Sequence, residues 1–290
     1  MAKDTFLNRK VTLNLKGELI DLSRPCVMGI LNLTPDSFYE NSRFGSVDDA
    51  LQRVETCLNE GAAFIDIGAY SSRPGADDVS TEEEISRIVP VIEAINKRFP
   101  EAKLSIDTFR AKVAKESIEA GAHLINDISG GTLDEELFET VAELNIPYIL
   151  MHMKGNPQTM QQNPVYKNIG LEVVDYFAEK ISVLRKLGVK DIILDPGFGF
   201  AKTIAHNYQL LNQLEDLDVF GLPVLAGFSR KSMIYKFLEI TPEDALNGTT
   251  VLNTIALQKG ASILRVHDVK AAVECIKLVE KMQHPDISLK

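Results

Sequence analysis

Eight short apolar runs, each followed by a stretch of helical period, predict an α/β fold of the (β/α)8 barrel class, entered through a β-hairpin, for this 290-residue chain. Three observations carry the prediction. The runs are apolar on both faces and recur at roughly 30 to 35 residues, as parallel strands covered by crossover helices do. Their number exceeds that of the usual open, doubly wound sheet, the other architecture this alternation permits. The phosphate fingerprint of such a sheet is also missing. N-L-T-P-D-S-F follows the first barrel strand, and G-F-G-F-A-K at 197–202 has Lys202 where a third glycine belongs.

Taken in order, VTLNL (11–15), Lys16-Gly17 and ELIDL (18–22) read as a hairpin set to close the barrel floor. The barrel strands are then CVMGILN from Cys26, FIDIG from Phe64, KLSID from Lys103 and HLIND from His123. PYILMH from Pro147, DIILD from Asp191, PVLAGFS from Pro223 and SILRVHD from Ser262 complete the set. Ser80 before Thr81-Glu82-Glu83-Glu84 opens one helix, with acids in its first turn, and Thr241-Pro242-Glu243-Asp244 opens another. Gly61, Gly121, Gly188 and Gly260 each fall between a helical stretch and the next strand, as helix-ending glycines do. No Pro- or Ser-rich linker breaks the pattern. The chain reads as one domain over 1–290, with the hairpin at about 10–23 and the barrel at about 25–284.

Composition narrows the partners. A 45% hydrophobic and 25% charged chain is an ordinary globular one, and a formal charge of −10 argues against nucleic acid or an anionic membrane surface. No apolar run approaches the ~18 residues of a membrane span. Cys26, Cys57 and Cys275 are odd in number and lack C-x-x-C spacing, so they read as free thiols of a cytoplasmic protein.

A barrel gathers the carboxyl ends of its strands at one face. Those ends carry Asn32, Asp66, Asp107, Asn126-Asp127, His152, Asp195, Ser229-Arg230-Lys231, and Arg265 with His267. Asp66 and Asp127 read equally well as caps of the following helices, and His152 as a satisfied structural histidine. Asp195 is no cap, because Pro-Gly-Phe-Gly-Phe after it cannot start a helix. Asp107, Asp195 and Asn126 offer acceptors and an amide to the donor-rich edge of a planar heterocycle. Arg265, His267 and Lys231 offer cationic donors to a phosphate or carboxylate. There is no H-E-x-x-H and no nucleophile elbow. The loops N-L-T-P-D-S-F-Y-E-N and Y-S-S-R-P-G-A-D-D have the composition of mobile covers.

Seven blocks, G-I-L-N-L-T-P-D-S-F, S-S-R-P-G, S-I-D-T, I-N-D-I-S-G, D-P-G-F-G-F, G-F-S-R-K-S and R-V-H-D-V, occur in register with the eight strands. Over roughly residues 11–282 the chain resembles the bacterial dihydropteroate synthases, pterin-binding barrel enzymes. The resemblance implies condensation of 6-hydroxymethyl-7,8-dihydropterin diphosphate with p-aminobenzoate, giving 7,8-dihydropteroate and pyrophosphate for folate synthesis. It implies Mg2+, a homodimer and a sulfonamide target.

By the same resemblance, Asp195 reads the amino-pyrimidine edge, Asp107 and Asn126 other ring heteroatoms, and Lys231 the ring's oxygen and nitrogen side. Arg265 covers the ring face. Ser72, His267 and Arg265, with Asn32 holding Mg2+, take the diphosphate. Arg265, His267, Lys231 and Asp107 are the catalytic set. Phe38, Arg73, Pro74, Phe200 and Ser232 receive p-aminobenzoate. Two loops depart from the commoner pattern: Tyr70-Ser71-Ser72 replaces Glu-Ser-Thr, and F-Y-E-N-S-R-F-G replaces a Ser-Asp-Gly-Gly turn. The rivals are a methyltetrahydrofolate:corrinoid methyltransferase, which needs no anion clamp, and a non-catalytic pterin-binding subunit. The R-V-H-D and S-R-K-S blocks speak against the first, and retention of both loops against the second.

Overall fold

The computed structural model describes residues 12–33, 47–70, 79–155 and 164–286. It opens with two short antiparallel strands, β1 (Thr12–Leu15) and β2 (Glu18–Asp21), joined at Lys16-Gly17. The barrel strands are β3 (Cys26–Asn32), β4 (Phe64–Gly68), β5 (Leu104–Asp107), β6 (Leu124–Asp127), β7 (Tyr148–Met151), β8 (Ile192–Asp195), β9 (Leu225–Ala226) and β10 (Ile263–Val266). They form one parallel sheet in the order β8-β7-β6-β5-β4-β3-β10-β9. A bridge between Leu194 and Val224 brings its two ends together.

Nine α-helices cover the barrel among the described residues: α1 (Val47–Asn59), α2 (Thr81–Arg98), α3 (Ala111–Glu119), α4 (Leu137–Leu144), α5 (Ile169–Lys186), α6 (Ile204–Asn212), α7 (Ser232–Leu238), α8 (Leu246–Gln258) and α9 (Val269–Gln283). Helix α2 begins as its sequence requires. The Ser80 hydroxyl accepts from Glu83 N, three glutamates fill the first turn, and Lys97 and Arg98 fill the last. Gly61, Gly121, Gly188 and Gly260 follow α1, α3, α5 and α8 with φ between +93° and +114°, a conformation costly for any residue with a Cβ.

The region between β9 and β10 departs from expectation twice. Of PVLAGFS only Leu225–Ala226 forms a strand, after which Phe228 packs on Phe198 with ring centroids 4.4 Å apart in the layer between strands and helices. The helix expected from Thr241 begins instead at Leu246. Arg230 Nη1 takes the carbonyls of Pro242 (3.1 Å) and Glu243 (2.7 Å), oxygens that a helix begun at Thr241 would need for its own ladder.

The hairpin closes the barrel floor. Leu13, Leu15 and Leu22 pack against Met28, Phe64, Leu124, Ile149, Ile193, Leu225 and Ile263, one residue from every barrel strand but β5. A second, larger apolar layer fills the space between strands and helices. Cys57 and Cys275 are buried free thiols in that outer layer, and Cys26 is a half-buried one beside the floor. Because Leu13 is fully buried, Leu13→Ala should cost about 2–5 kcal/mol in urea unfolding. Leu19→Ala, at the 69% exposed position of β2, should stay within ~0.5 kcal/mol. Equal costs for the two would mean that the hairpin is not part of the barrel core.

Candidate active site

Side chains alternate along a strand, so the residue two places beyond each floor residue faces the interior one layer higher. On β4, β6, β8 and β10 these residues are Asp66, Asn126, Asp195 and Arg265, two steps past Phe64, Leu124, Ile193 and Ile263. Asp107 ends β5 between Gly68 and Asn126. An apolar floor thus lies directly beneath a polar layer. Arg265 and Asp107 keep side-chain exposures of 19% and 21% against 0% for Asp66, so the layer opens only towards the carboxyl face.

Arg265 organises this layer. Its Nε donates to Asp66 Oδ2 and its Nη2 to Asp107 Oδ2, both at 2.6 Å, and Asn126 Nδ2 donates to the same Asp66 oxygen at 2.9 Å. The two carboxylates raise the Arg265 pKa further despite burial. Burial raises the Asp107 carboxyl to about 7 against the pull of Arg265. Burial likewise raises Asp195, opposed chiefly by Lys231. Lys231 is pushed down by burial to about 8. Three carboxylates, Asp66, Asp107 and Asp195, therefore share the interior with three basic groups, Arg265, Lys231 and Lys202. Such burial is tolerable only with this balance.

The loop after β8 is built on two anchors. Asp195 Oδ1 accepts from Gly197 N at 2.7 Å, a turn that answers why a carboxylate ends this strand and is not a helix cap. Lys202 is the second anchor. Its buried Nζ donates to the carbonyls of Gly197 (2.9 Å) and Phe200 (3.0 Å) and meets His152 Nδ1 at 3.0 Å. Burial lowers Lys202 to about 7 and, with Lys202 beside it, holds His152 neutral. Gly197, at φ +70°, has no room for a side chain, since a Cβ would lie 2.1 Å from the His152 carbonyl. The loop so fixed leaves Phe200 half-buried, with Lys231 Nζ 4.9 Å from its ring centre and bonded to Phe198 O at 2.6 Å.

Beyond β10, Ser229 Oγ accepts from His267 N at 3.1 Å and lies 2.9 Å from His267 Nδ1. One Ser229 lone pair serves the His267 backbone, so the hydroxyl can donate to Nδ1 or accept from it, and the ring tautomer sets which. Arg53 of α1 donates to the His267 carbonyl. Ser232 opens α7, where helix N–H groups have no intrahelical partner.

A model of the pterin binding enzyme family matches residues 28–267. The dihydropteroate synthase of Escherichia coli K12 is 47% identical over 268 residues, covering 91% of this chain and 94% of that protein. The Yersinia pestis dihydropteroate synthase, solved with a sulfonamide drug, superposes with a TM-score of 0.89 at 45% identity, covering 94% and 99% of the two chains. The Xanthomonas albilineans enzyme, solved with 7,8-dihydropteroate, gives a TM-score of 0.85 at 36% identity, covering 94% and 99%. The chain belongs to the dihydropteroate synthase family.

The residues expected to read a pterin in a dihydropteroate synthase, Asp107, Asn126, Asp195, Lys231 and Arg265, share one layer. Phe200 meets Lys231, Ser232 follows Lys231 at the start of α7, His267 lies two residues beyond Arg265, and Asn32 stands exposed at the end of β3. Phe38, Ser72, Arg73 and Pro74 lie outside the described residues, as do the two departing loop segments apart from Tyr70. Three readings change. His267 is not a cation near neutral pH, because burial first and Arg265 next push it down to about 4. It is a neutral imidazole, with one ring nitrogen carrying a proton. Asp127 leaves the ring: its side chain points outward, accepting from Ser129 N (2.6 Å), Gly131 N (2.7 Å) and Tyr148 Oη (2.5 Å). Arg230 is also structural, forked onto Asp268 with both contacts at 2.9 Å.

Asp66 and Lys202 are the interior charges that sequence reasoning undervalued. For Asp66 the signal was available, since it falls two residues after an apolar floor position on an otherwise buried strand. Lys202 yields a pH prediction. A lysine at about 7 in the fold and about 10.4 unfolded leaves the unfolded chain with more bound protons between these values, so stability rises with pH there. Lys202→Met should remove this contribution, making wild type gain on the variant from pH 7 to 10 in urea unfolding. A constant gap would contradict a buried, lowered Lys202.

Proposed function

We infer that this protein is a dihydropteroate synthase, joining 6-hydroxymethyl-7,8-dihydropterin diphosphate to p-aminobenzoate and releasing pyrophosphate. The observation that carries the reading is the polar layer itself. Carboxylate acceptors, one amide and paired cations face a common interior above a dry floor, matched to a flat ring with a donor-rich edge and an anionic arm. Asp195 offers acceptors to the amino-pyrimidine edge, Asn126 and Asp107 meet other ring heteroatoms, and Lys231 meets the ring's oxygen and nitrogen side. Arg265 lies against the ring face and, with a ring N–H of His267 and with Ser72, holds the diphosphate.

The donor set fits Mg2+. Asn32 offers one exposed amide oxygen, and among the described residues no cluster of acids or histidines competes to hold an ion, as suits a cation coordinated largely by phosphate and water. When bound, Mg2+ would neutralise charge on the departing diphosphate. The chain's own groups do the rest. Arg265 and His267 stabilise the leaving oxygens, and the buried carboxylates hold the electron-rich ring as its methylene becomes electrophilic. The aniline nitrogen is already neutral and nucleophilic, so no strong base is required. Phe200 flanks the p-aminobenzoate ring, and Ser232 with the start of α7 faces its carboxylate; the family resemblance assigns Phe38, Arg73 and Pro74 to the same substrate. Free cysteines suit a cytoplasmic enzyme, and among the described residues no helix is long and apolar enough to cross a membrane.

A homodimer accompanies this function. Its support is a groove of about 320 Å³ between α8 and α9, lined in part by Thr254, Gln258, Cys275, Leu278 and Met282. Leu278 and Met282 are 73% and 59% exposed, and Val251 50%, an apolar face suited to a second copy. Leu278→Glu should convert a dimer to a monomer in analytical ultracentrifugation, and an unchanged sedimentation coefficient would exclude this face.

Incubation with both substrates and Mg2+ should release pyrophosphate and dihydropteroate in equal amounts. The absence of both products, or methyl transfer in a separate incubation with methyltetrahydrofolate and a corrinoid, would reject the assignment. Asp195→Asn should weaken 6-hydroxymethylpterin binding by about 3 kcal/mol, because an amide NH2 then faces a ring donor. Melting should change little, since the asparagine oxygen can still accept from Gly197 N. Near-equal pterin affinity would remove Asp195 from the binding site.

A further inference from the structure

We propose that Asp66 is the positioning residue of this site, fixing which atoms of Asn126 and Arg265 the pterin meets; the inference rests on reading the pocket as a pterin site. Asp66 is fully buried in the middle of β4, beside Ile30 of β3 and Ser105 of β5. A carboxylate only accepts hydrogen bonds. Asn126 must therefore turn its NH2 to Asp66 Oδ2, at 2.9 Å, and its Oδ1 is left for the ligand. The amide cannot flip without setting two acceptors against each other.

The same oxygen receives Arg265 Nε at 2.6 Å, while Asp107 holds Nη2 at 2.6 Å. A guanidinium tied at both places has a fixed plane, and among the described residues its Nη1 makes no hydrogen bond. Asp66 Oδ1 and Ser105 Oγ have no hydrogen-bond partner among the described residues. The two bonds at Oδ2 are thus what orients the carboxylate.

Two substitutions separate positioning from mere packing. Asp66→Leu fills the same space but removes the acceptor shared by Asn126 and Arg265. Asp66→Asn can place its amide oxygen where Oδ2 lies, accepting from both Asn126 Nδ2 and Arg265 Nε, with its NH2 on the side where Oδ1 has no hydrogen-bond partner among the described residues. Calorimetric titration with 6-hydroxymethylpterin should show Asp66→Leu at least about tenfold weaker, and Asp66→Asn within about threefold of wild type.

Melting curves for all three proteins accompany the titrations. If Asp66→Leu does not fold, a folded Asp66→Asn protein binding within about threefold of wild type supports the proposal, and a weaker one overturns it. A folded Asp66→Leu protein that binds like wild type overturns it too. Failure of wild type to bind the pterin would instead reject the functional reading on which it stands.

Discussion

A guanidinium at the centre of a barrel must have carboxylates on it, and Arg265 has two, Asp66 and Asp107, each at 2.6 Å. Much of the polar interior follows from that constraint. Asp66 is drawn fully inside and takes the Asn126 amide with it. Asp107 stays at the rim, where it still reaches solvent. Asp195 and Lys231 add a second pair of opposite charges in the same layer. The site is assembled by these bonds before any ligand arrives, so binding spends little energy on ordering the described side chains.

The layer also needs a rigid base and a rigid rim. The base is apolar: the hairpin leucines seal it, and water cannot reach the buried charges from below. The rim depends on Lys202, whose ammonium ties the carbonyls of Gly197 and Phe200 to His152. One lysine thereby sets both the turn that holds Asp195 and the placement of Phe200. Arg230 does the corresponding work across the crossover, binding Asp268 and the 242–243 carbonyls so that α7 starts beside Lys231.

Much of this was legible in the sequence for physical reasons. Two-sided apolar strands identify a covered parallel sheet, and strand ends converge in a closed one. That is why Asp107, Asn126, Asp195, Lys231 and Arg265 could be grouped without coordinates. The rest depended on side-chain direction. Asp66 and Asp127 both stand among branched apolar residues, yet one points into the barrel and the other out towards the helices. Only the register separates them. The charge on His267 was illegible because it depends on burial and on Arg265 two residues away. The helix expected at Thr241 failed because its carbonyls are claimed by Arg230, distant in sequence. Lys202 looked like a failed glycine motif because nothing local shows three acceptors closing around it.

A crystal structure with 6-hydroxymethyl-7,8-dihydropterin diphosphate and Mg2+ tests the central claim most directly. The account predicts the amino-pyrimidine edge on Asp195, the Asn126 carbonyl on a ring N–H, and the diphosphate beside His267. It also predicts that the Asp66–Arg265–Asp107 bonds remain unbroken. A pterin bound elsewhere, or one that enters only after Arg265 leaves Asp66, would contradict it.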